Sequence, residues 1–462
     1  MIKRLIGKIL KRRPGASAVA KDPVIVPRDQ HGISRKNLSP NALKVLYRLR
    51  DQGYDAYLVG GCIRDLLLGL QPKDFDVATN ASPDDVRGTF RNCRLVGRRF
   101  RLAHILFGRE VIEVATFRAN HNPDTAVDDS GRVLRDNVFG TIEDDAIRRD
   151  FSINALYYDV GQFAVIDYVG GMQDIEARQI RLLGDPETRY REDPVRALRA
   201  CRFAAKLGFD IEAATAAPLA QTGALLGDIP PARLFEEVLK LFQSGHAVSS
   251  LARLREHGLL RFVFPSVDAR LQANDAVATA LFERALQNTD LRVREDKPIT
   301  PAFLYAALLW PDVQAAYTAL IASASLPPIP AMHQATDDVL AKQLRITALP
   351  KRFSAVVREI WTLQPRLERY KGKRAVKAME SARFRAGYDL LCLRADAGEP
   401  LADLATWWTD MQQGEDAERA RQVREETAAE QRREGRRQSR RGGRRRGGNN
   451  RRRGGGRAGA AG

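Results

Sequence analysis

Lys73-Asp74-Phe75-Asp76-Val77-Ala78-Thr79 carries two carboxylates two residues apart. Side chains alternate along a strand, so Asp74 and Asp76 would project from one face while Phe75 and Val77 turn inward. Carboxylates that close repel one another unless cations lie between them, and such a pair is the donor set of two-metal phosphoryl transfer. On its own, the pair also fits two surface aspartates at a strand end. Val111-Ile112-Glu113-Val114-Ala115-Thr116 supplies a third acid, Glu113, on the side away from the inward-facing Ile112 and Val114. Upstream, Tyr57-Leu58-Val59-Gly60-Gly61-Cys62-Ile63-Arg64-Asp65 reads as a strand, a Gly-Gly turn and a helix that ends at Gly69. Backbone N–H groups at a helix start can cradle phosphates, and Arg64 adds a charge there. No Gly-Lys-Ser/Thr follows, so the turn is not a P-loop. Turn and acid pair together suggest a site for a triphosphate with divalent metal.

These residues need a sheet to hold them. Short β runs over Tyr57 to Val59, Asp74 to Ala78, His104 to Phe107, Val111 to Thr116 and Ala164 to Tyr168 alternate with helices and turns. Before them, Pro14 to Pro27 reads as a linker, and Ser39-Pro40 opens a helix with Ser39 as its N-cap. From Glu192 onward the apolar spacing is helical: Pro194 to Leu207, Ala232 to Gln243, Val248 to Glu256, Ala276 to Ala285, Pro301 to Leu309, Phe353 to Leu363 and Gly387 to Arg394. The expected class is α+β, a mixed-sheet head followed by an all-α neck and body. Asp193-Pro194 reads as N-cap and first-turn proline of a helix. That helix carries Arg196, Arg199 and Arg202 along one side against Val195, Leu198 and Cys201, a basic stripe that also fits a solvated face.

The order of these segments resembles the class II nucleotidyltransferase superfamily, which contains CCA-adding enzymes and bacterial poly(A) polymerases. The resemblance rests on Gly60-Gly61, Arg64-Asp65 and Leu68-Gly69, then Lys73 to Asn80, Arg148-Arg149-Asp150-Phe151-Ser152-Ile153-Asn154-Ala155 and Glu192-Asp193-Pro194-Val195-Arg196-Ala197-Leu198-Arg199. It implies that Asp74 and Asp76 hold two Mg2+ ions, with Glu113, placed by strand periodicity, as a third candidate ligand, and that Asp150 completes the acidic site or holds the ribose. Asp150 also fits a helix N-cap. By the same resemblance Gly60, Gly61, Arg64, Arg149 and Asn154 meet phosphates or ribose, Asp193 and Arg196 read the incoming base, and Arg199 contacts the nucleotide. The implied reaction is attack of an RNA 3′-hydroxyl on the α-phosphate of ATP.

The motifs are shared by both branches, so the flanks must separate them. Pro27 to Arg35, Leu95 to His104, Ile229 to Glu237 and Pro350 to Phe353 resemble the poly(A) polymerase branch, and CCA addition to tRNA is the alternative. Adding AMP to many RNA 3′ ends requires grip without sequence reading, which phosphate contacts provide. Arg202 and the segment Tyr370, Lys371, Lys373 and Arg374 are the candidate RNA contacts, with Tyr370 placed to stack a base; the latter segment also fits an exposed helix end.

Composition agrees with a polyanionic partner. The 462 residues have a formal charge of +18, and residues 431 to 462 hold thirteen Arg against one Glu. Beyond Gly414 the composition turns to Glu, Arg and Ala and then to Arg/Gly repeats, which cannot bury enough apolar surface to order a chain. Ile2, Leu5, Ile6, Ile9 and Leu10 share a helical face among basic residues, an arm suited to an anionic membrane surface or RNA. Arm and tail are the candidate contacts for membrane or RNA-decay proteins. The four cysteines are far apart, which disfavours a disulfide scaffold or zinc site and suits a reducing cytoplasm. The expected division is a basic arm (1–28), catalytic head (29–185), base-recognition neck (186–270), RNA-binding body (271–413) and disordered tail (414–462).

Overall fold

The computed structural model describes residues 22–97, 101–119, 139–323, 326–370 and 373–413. The basic arm up to residue 21, the Arg/Gly tail, Lys371 and the side chain of Lys373 lie outside the described residues. The chain divides into two compact units, Met1–Val263 and Phe264–Gly462.

The first unit is built on β1 (Val24–Val26), β2 (Ala56–Val59), β3 (Asp76–Thr79), β4 (Cys93–Val96), β5 (Leu102–Phe107), β6 (Glu110–Thr116), β7 (Leu156–Asp159) and β8 (Ala164–Asp167). Their order in the sheet is β1-β8-β7-β2-β3-β6-β5-β4. Among the described strands of this sheet only the β3–β6 pair is parallel, because the chain crosses over between them through α3 (Pro83–Thr89) and the β4–β5 hairpin. β7 and β8 are buried on both faces, whereas β4, β5 and β6 alternate, with one face in the core and the other open. The main core includes Val45 and Leu49 of α1 (Pro40–Asp51), Val86 of α3, and Val77, Ile105 and Ile112 of the sheet. Ser39 caps α1 as expected, its hydroxyl accepting from the Asn41 and Ala42 amides at 3.2 Å.

Helices α2 (Gly61–Leu67), α4 (Ile142–Arg148) and α5 (Gly171–Ala177) complete the head, with a small parallel pair, β9 (Gln179–Ile180) and β10 (Asp210–Ile211), beneath the next helices. Those are α6 (Pro186–Glu192), α7 (Val195–Leu207), two single turns α8 (Ala213–Ala216) and α9 (Leu219–Thr222), then α10 (Pro231–Phe242), α11 (Ala247–Glu256) and α12 (Leu260–Val263). α7 buries Leu198, Cys201 and Ala204.

The second unit is all helix: α13 (Pro265–Gln272), α14 (Ala276–Arg294), α15 (Pro301–Leu308), α16 (Trp310–Ala322), α17 (Pro328–Ile346), α18 (Lys351–Leu367), α19 (Lys373–Met379), α20 (Phe384–Asp396) and α21 (Ala402–Met411). Arg394, 3% exposed, ties it internally: its guanidinium meets Glu399 at 2.8 Å and Gln364 at 2.8 Å, and lies 4.3 Å over the Trp310 ring. Among the described residues, no helix is long and apolar enough to cross a membrane.

Three expectations are corrected. Val24 to Val26, inside the expected linker, forms an edge strand against β8, a three-residue segment too short to show a period. The acid strand begins at Asp76 rather than Asp74, because Pro72 and the bend at Lys73 keep the chain out of the ladder until then. Asp193 does not cap α7 with its side chain; extended between α6 and the helical Pro194, it accepts from the Arg196 amide through its carbonyl at 3.0 Å, and its carboxylate goes elsewhere.

Candidate active site

Asp76 is the first residue of β3 and stands in parallel register with Glu113 of β6, so both side chains rise from the same face. Asp74 is exposed in the approach to the strand, while Phe75 and Val77 anchor it from below, 8% and 0% exposed. Burial pushes the Asp76 carboxyl up to about 6, with Glu113 and Asp74 adding repulsion and Arg149 opposing it. Across the next ladder His104 of β5 is paired with Glu113, and its Nε2 lies 3.4 Å from Glu113 Oε1. Among the described residues, no three His, Cys, Asp or Glu side chains close on one point as a ready-made metal cage. The carboxylates nonetheless fit hard cations, since a half-buried acid repelled by two others is stabilised only by a proton or a cation.

The Gly60-Gly61 turn passes beside this row. Gly60 has φ +82°, which favours glycine, and caps α2. A Cβ on Gly60 would lie 3.6 Å from Arg149 Nη1, and one on Gly61 would lie 3.4 Å from Arg64 Nη2. Bare backbone thus lets two guanidinium groups close on the turn. Arg149 is held by Asp145 Oδ2 (2.8 Å) and Tyr157 Oη (3.1 Å). Burial alone would lower its pKa, but Tyr157 and Asp145 together raise it.

Arg64 is 3% exposed, so it is an internal strut rather than a free cation beside the turn. Its Nε and Nη2 donate to Asp65 Oδ1 (2.8 and 2.6 Å), and its Nη1 donates to Asn154 Oδ1 (2.6 Å). Asn154 Nδ2 reaches Asp150 Oδ1 at 3.3 Å, and Asp150 Oδ2 lies 2.5 Å from Arg199 Nη2. Burial works against the Asp150 carboxylate, yet Arg199 and the Phe151 amide hold its pKa below the ordinary value. Asp150 accepts from the next amide and caps no helix of its own. Arg64, Asn154, Asp150 and Arg199 therefore form one chain. Arg202 turns onto the Phe203 ring at 4.4 Å, with Nε buried and unpartnered, rather than onto an outer face.

At the other end, Asp193 Oδ2 accepts from Arg233 Nη2 of α10 at 2.7 Å, and its Oδ1 is buried without a partner. Arg196 Nη1 donates to the Arg189 carbonyl (2.6 Å) and to Glu192 (2.9 Å). Arg189, which the motif reading passed over, donates from Nη2 to the carbonyls of Arg148 (2.7 Å) and Arg149 (2.9 Å) and so ties α6 to the end of α4. Arg233 was missed likewise; the signal available was a cation one turn into a helix with Glu236 and Glu237 after it. In the second unit Tyr370 packs on Trp407, ring centroids 4.6 Å apart, within a cluster that holds Phe384 and Trp408. Arg374 of α19 is exposed.

A mixed sheet with an acid row beside a glycine turn, followed by arginine-bearing helices, is the architecture of a nucleotidyltransferase. A CCA-adding enzyme of Bacillus stearothermophilus, solved in complex with CTP, superposes with TM-score 0.54 at 27% identity, covering 81% of this chain and 83% of that one. Residues 56–181 match the poly A polymerase head domain, 208–271 the probable RNA and SrmB-binding site of polymerase A, and 324–446 the polymerase A arginine-rich C-terminus. Poly(A) polymerase I of Salmonella typhimurium strain LT2 is 50% identical over 90% of this chain and 92% of its own length. That of Haemophilus influenzae is 46% identical over 88% of this chain and 91% of its own. The chain belongs to the bacterial poly(A) polymerase I family and is a nucleotidyltransferase.

Proposed function

We propose that the enzyme adds AMP from ATP to RNA 3′ ends without a template, making the poly(A) tails that promote RNA decay in the cytoplasm. The observation that carries this reading is the register of Asp76 with Glu113 beside the Gly60 turn, in a chain alike to poly(A) polymerase I over nine-tenths of its length. The bare backbone of Gly60 and Gly61 and the Arg149 guanidinium receive the triphosphate. The Asn154–Asp150 pair faces the ribose, with Arg64 and Arg199 fixing both groups. Asp193 Oδ1 and Arg196 meet the Watson–Crick edge of the base. Asp74, Asp76 and Glu113 are the ligands for two Mg2+ ions, whose chemistry there is to acidify the 3′-hydroxyl and neutralise the leaving pyrophosphate. Arg149, already paired with Asp145 and Tyr157, stabilises charge on the phosphates with little reorganisation. Arg202 and the Tyr370–Arg374 segment are assigned to RNA, and the basic arm and tail to RNA, decay proteins or an anionic membrane.

The test is extension of a labelled single-stranded RNA, alongside a tRNA lacking its 3′ end, with each NTP separately. Long tails made only with ATP on the generic RNA support the reading. Addition confined to the tRNA and stopping after C, C and A overturns it.

A further inference from the structure

We infer that the open face of β6–β5–β4 is the surface on which the last nucleotides of the RNA lie, with Arg94 taking a backbone phosphate and His104 orienting the terminal nucleotide. The inference rests on the reaction assigned above and adds residues to it. Pairing places Asp76, Glu113, His104 and Arg94 in one row across four adjacent strands. At about 4.8 Å between strands, Arg94 stands roughly 14 Å from Asp76. The reverse of this half-sheet is core, with Ile105 and Ile112 fully buried, while Arg94, Val96 and Val111 are exposed and Leu102 and Leu106 are half-buried.

Two physical arguments give this face to the RNA. In-line displacement needs the attacking oxygen and the leaving pyrophosphate on opposite sides of the α-phosphorus. The Gly60 turn and Arg149 lie on the β2 side of the carboxylates, so with the triphosphate placed there as proposed, the open approach for the 3′-hydroxyl is from the β5–β4 side. Charge supplies the second argument. On the nucleotide side Arg64, Arg149, Arg189, Arg196 and Arg199 are each already joined to an acid. Arg94, at the far end of the row, has no ion pair among the described residues and is free to meet a phosphate. Apolar side chains around it, Val96 and Leu102, suit the faces of bases, and the His104 ring can stack one.

The experiment measures binding of a labelled RNA ending in 3′-deoxyadenosine to the full-length protein over a range of KCl, which needs no turnover. Arg94→Gln is expected to weaken binding and reduce the slope of log affinity against log salt by about 0.7, one phosphate contact on a single strand. Arg94→Lys is expected to restore the slope. Arg87→Gln removes the same charge from α3, close to Cys93 on the core side of β4, and is expected to keep the wild-type slope. In steady-state extension, His104→Gln raises KM for RNA without raising KM for ATP. A wild-type slope in Arg94→Gln, or an equal loss in Arg87→Gln, overturns the inference, provided both variants melt at the wild-type temperature. Failure of the reaction assignment appears separately, as absence of AMP addition by the unmutated enzyme.

Discussion

Asp76→Asn should destroy catalysis and stabilise the fold. Asp76 is mostly buried beside Glu113 and Asp74, and its carboxyl is pushed from 3.8 to about 6. A proton therefore binds the folded state more tightly than the unfolded chain. Below pH 3.8 both states are protonated and the residue is neutral to stability; between there and about 6 the unfolded chain has released a proton that folding must take up again, a cost that grows with pH, and above that the folded carboxyl ionises as well and the full cost remains. Each pKa unit is 1.36 kcal/mol, so the ceiling is about 3 kcal/mol, and relaxation of the half-open site brings the working value to about 2 kcal/mol. For a unit of this size that corresponds to about 4–8 °C in Tm. The assay is thermal unfolding followed by circular dichroism in EDTA, wild type against Asp76→Asn, from about pH 4 to pH 8. The asparagine variant should melt higher at the alkaline end, and the difference should close as the pH falls toward the ordinary carboxyl range. Adding Mg2+ should raise the wild type toward the variant and leave the variant where it is. Equal melting temperatures at both ends of the range, or a variant less stable than the wild type at pH 8, would refute the argument that this acid is held against its own repulsion.

Two further outcomes follow from geometry. Gly60→Ala places a Cβ at φ +82° against Arg149 and the Asn154 carbonyl, so KM for ATP should rise by about tenfold or more while affinity for RNA changes little, checked by steady-state kinetics and RNA binding. Arg394→Ala takes the cation from the mostly buried Glu399 carboxylate, leaving it Trp310 Nε1 and Gln314 Nε2 as donors, and removes the cation from the Trp310 ring, for a cost of about 3 kcal/mol, readable as an early melting transition of the helical body; wild-type melting would show the network to be idle.

The sequence made the acid row legible because strand periodicity is strict. Once Phe75 and Val77 are core, Asp76 has one direction left, and Ile112 and Val114 fix Glu113 in the same way. The Ser39 cap and most helices of the second half were legible for the same reason, local chemistry with a fixed period. The β1 edge strand was not, since Val24 to Val26 acquires its conformation only by pairing with β8. The Asp193 side chain does not make the cap that Asp-Pro chemistry suggests, because Arg233, forty residues on, takes its carboxylate. Likewise nothing in the order of residues reveals that Arg64 is buried or that Arg189 spans to the carbonyls of Arg148 and Arg149. Long-range partners, not local pattern, decide which arginines remain free.

That division of arginines has a consequence for how the two substrates are held. Burying guanidinium groups against acids is costly and seldom the most stabilising choice for a fold, so a site rich in such pairs is maintained for what the fixed dipoles do. Arg149 on Asp145 and Tyr157, Arg64 on Asp65 and Asn154, and Arg196 on Glu192 are held by partners within the protein, and under the proposed assignment they are in place before a nucleotide arrives. A rigid pocket of this kind can discriminate among bases. A substrate of unlimited sequence needs the opposite: exposed, unpaired cations such as Arg94 whose affinity comes from displaced counter-ions and is blind to the base. The two demands call for different side chains, and under the proposed assignment the acid-paired Arg64, Arg149 and Arg196 serve the nucleotide while Arg94, with no ion pair among the described residues, serves the RNA.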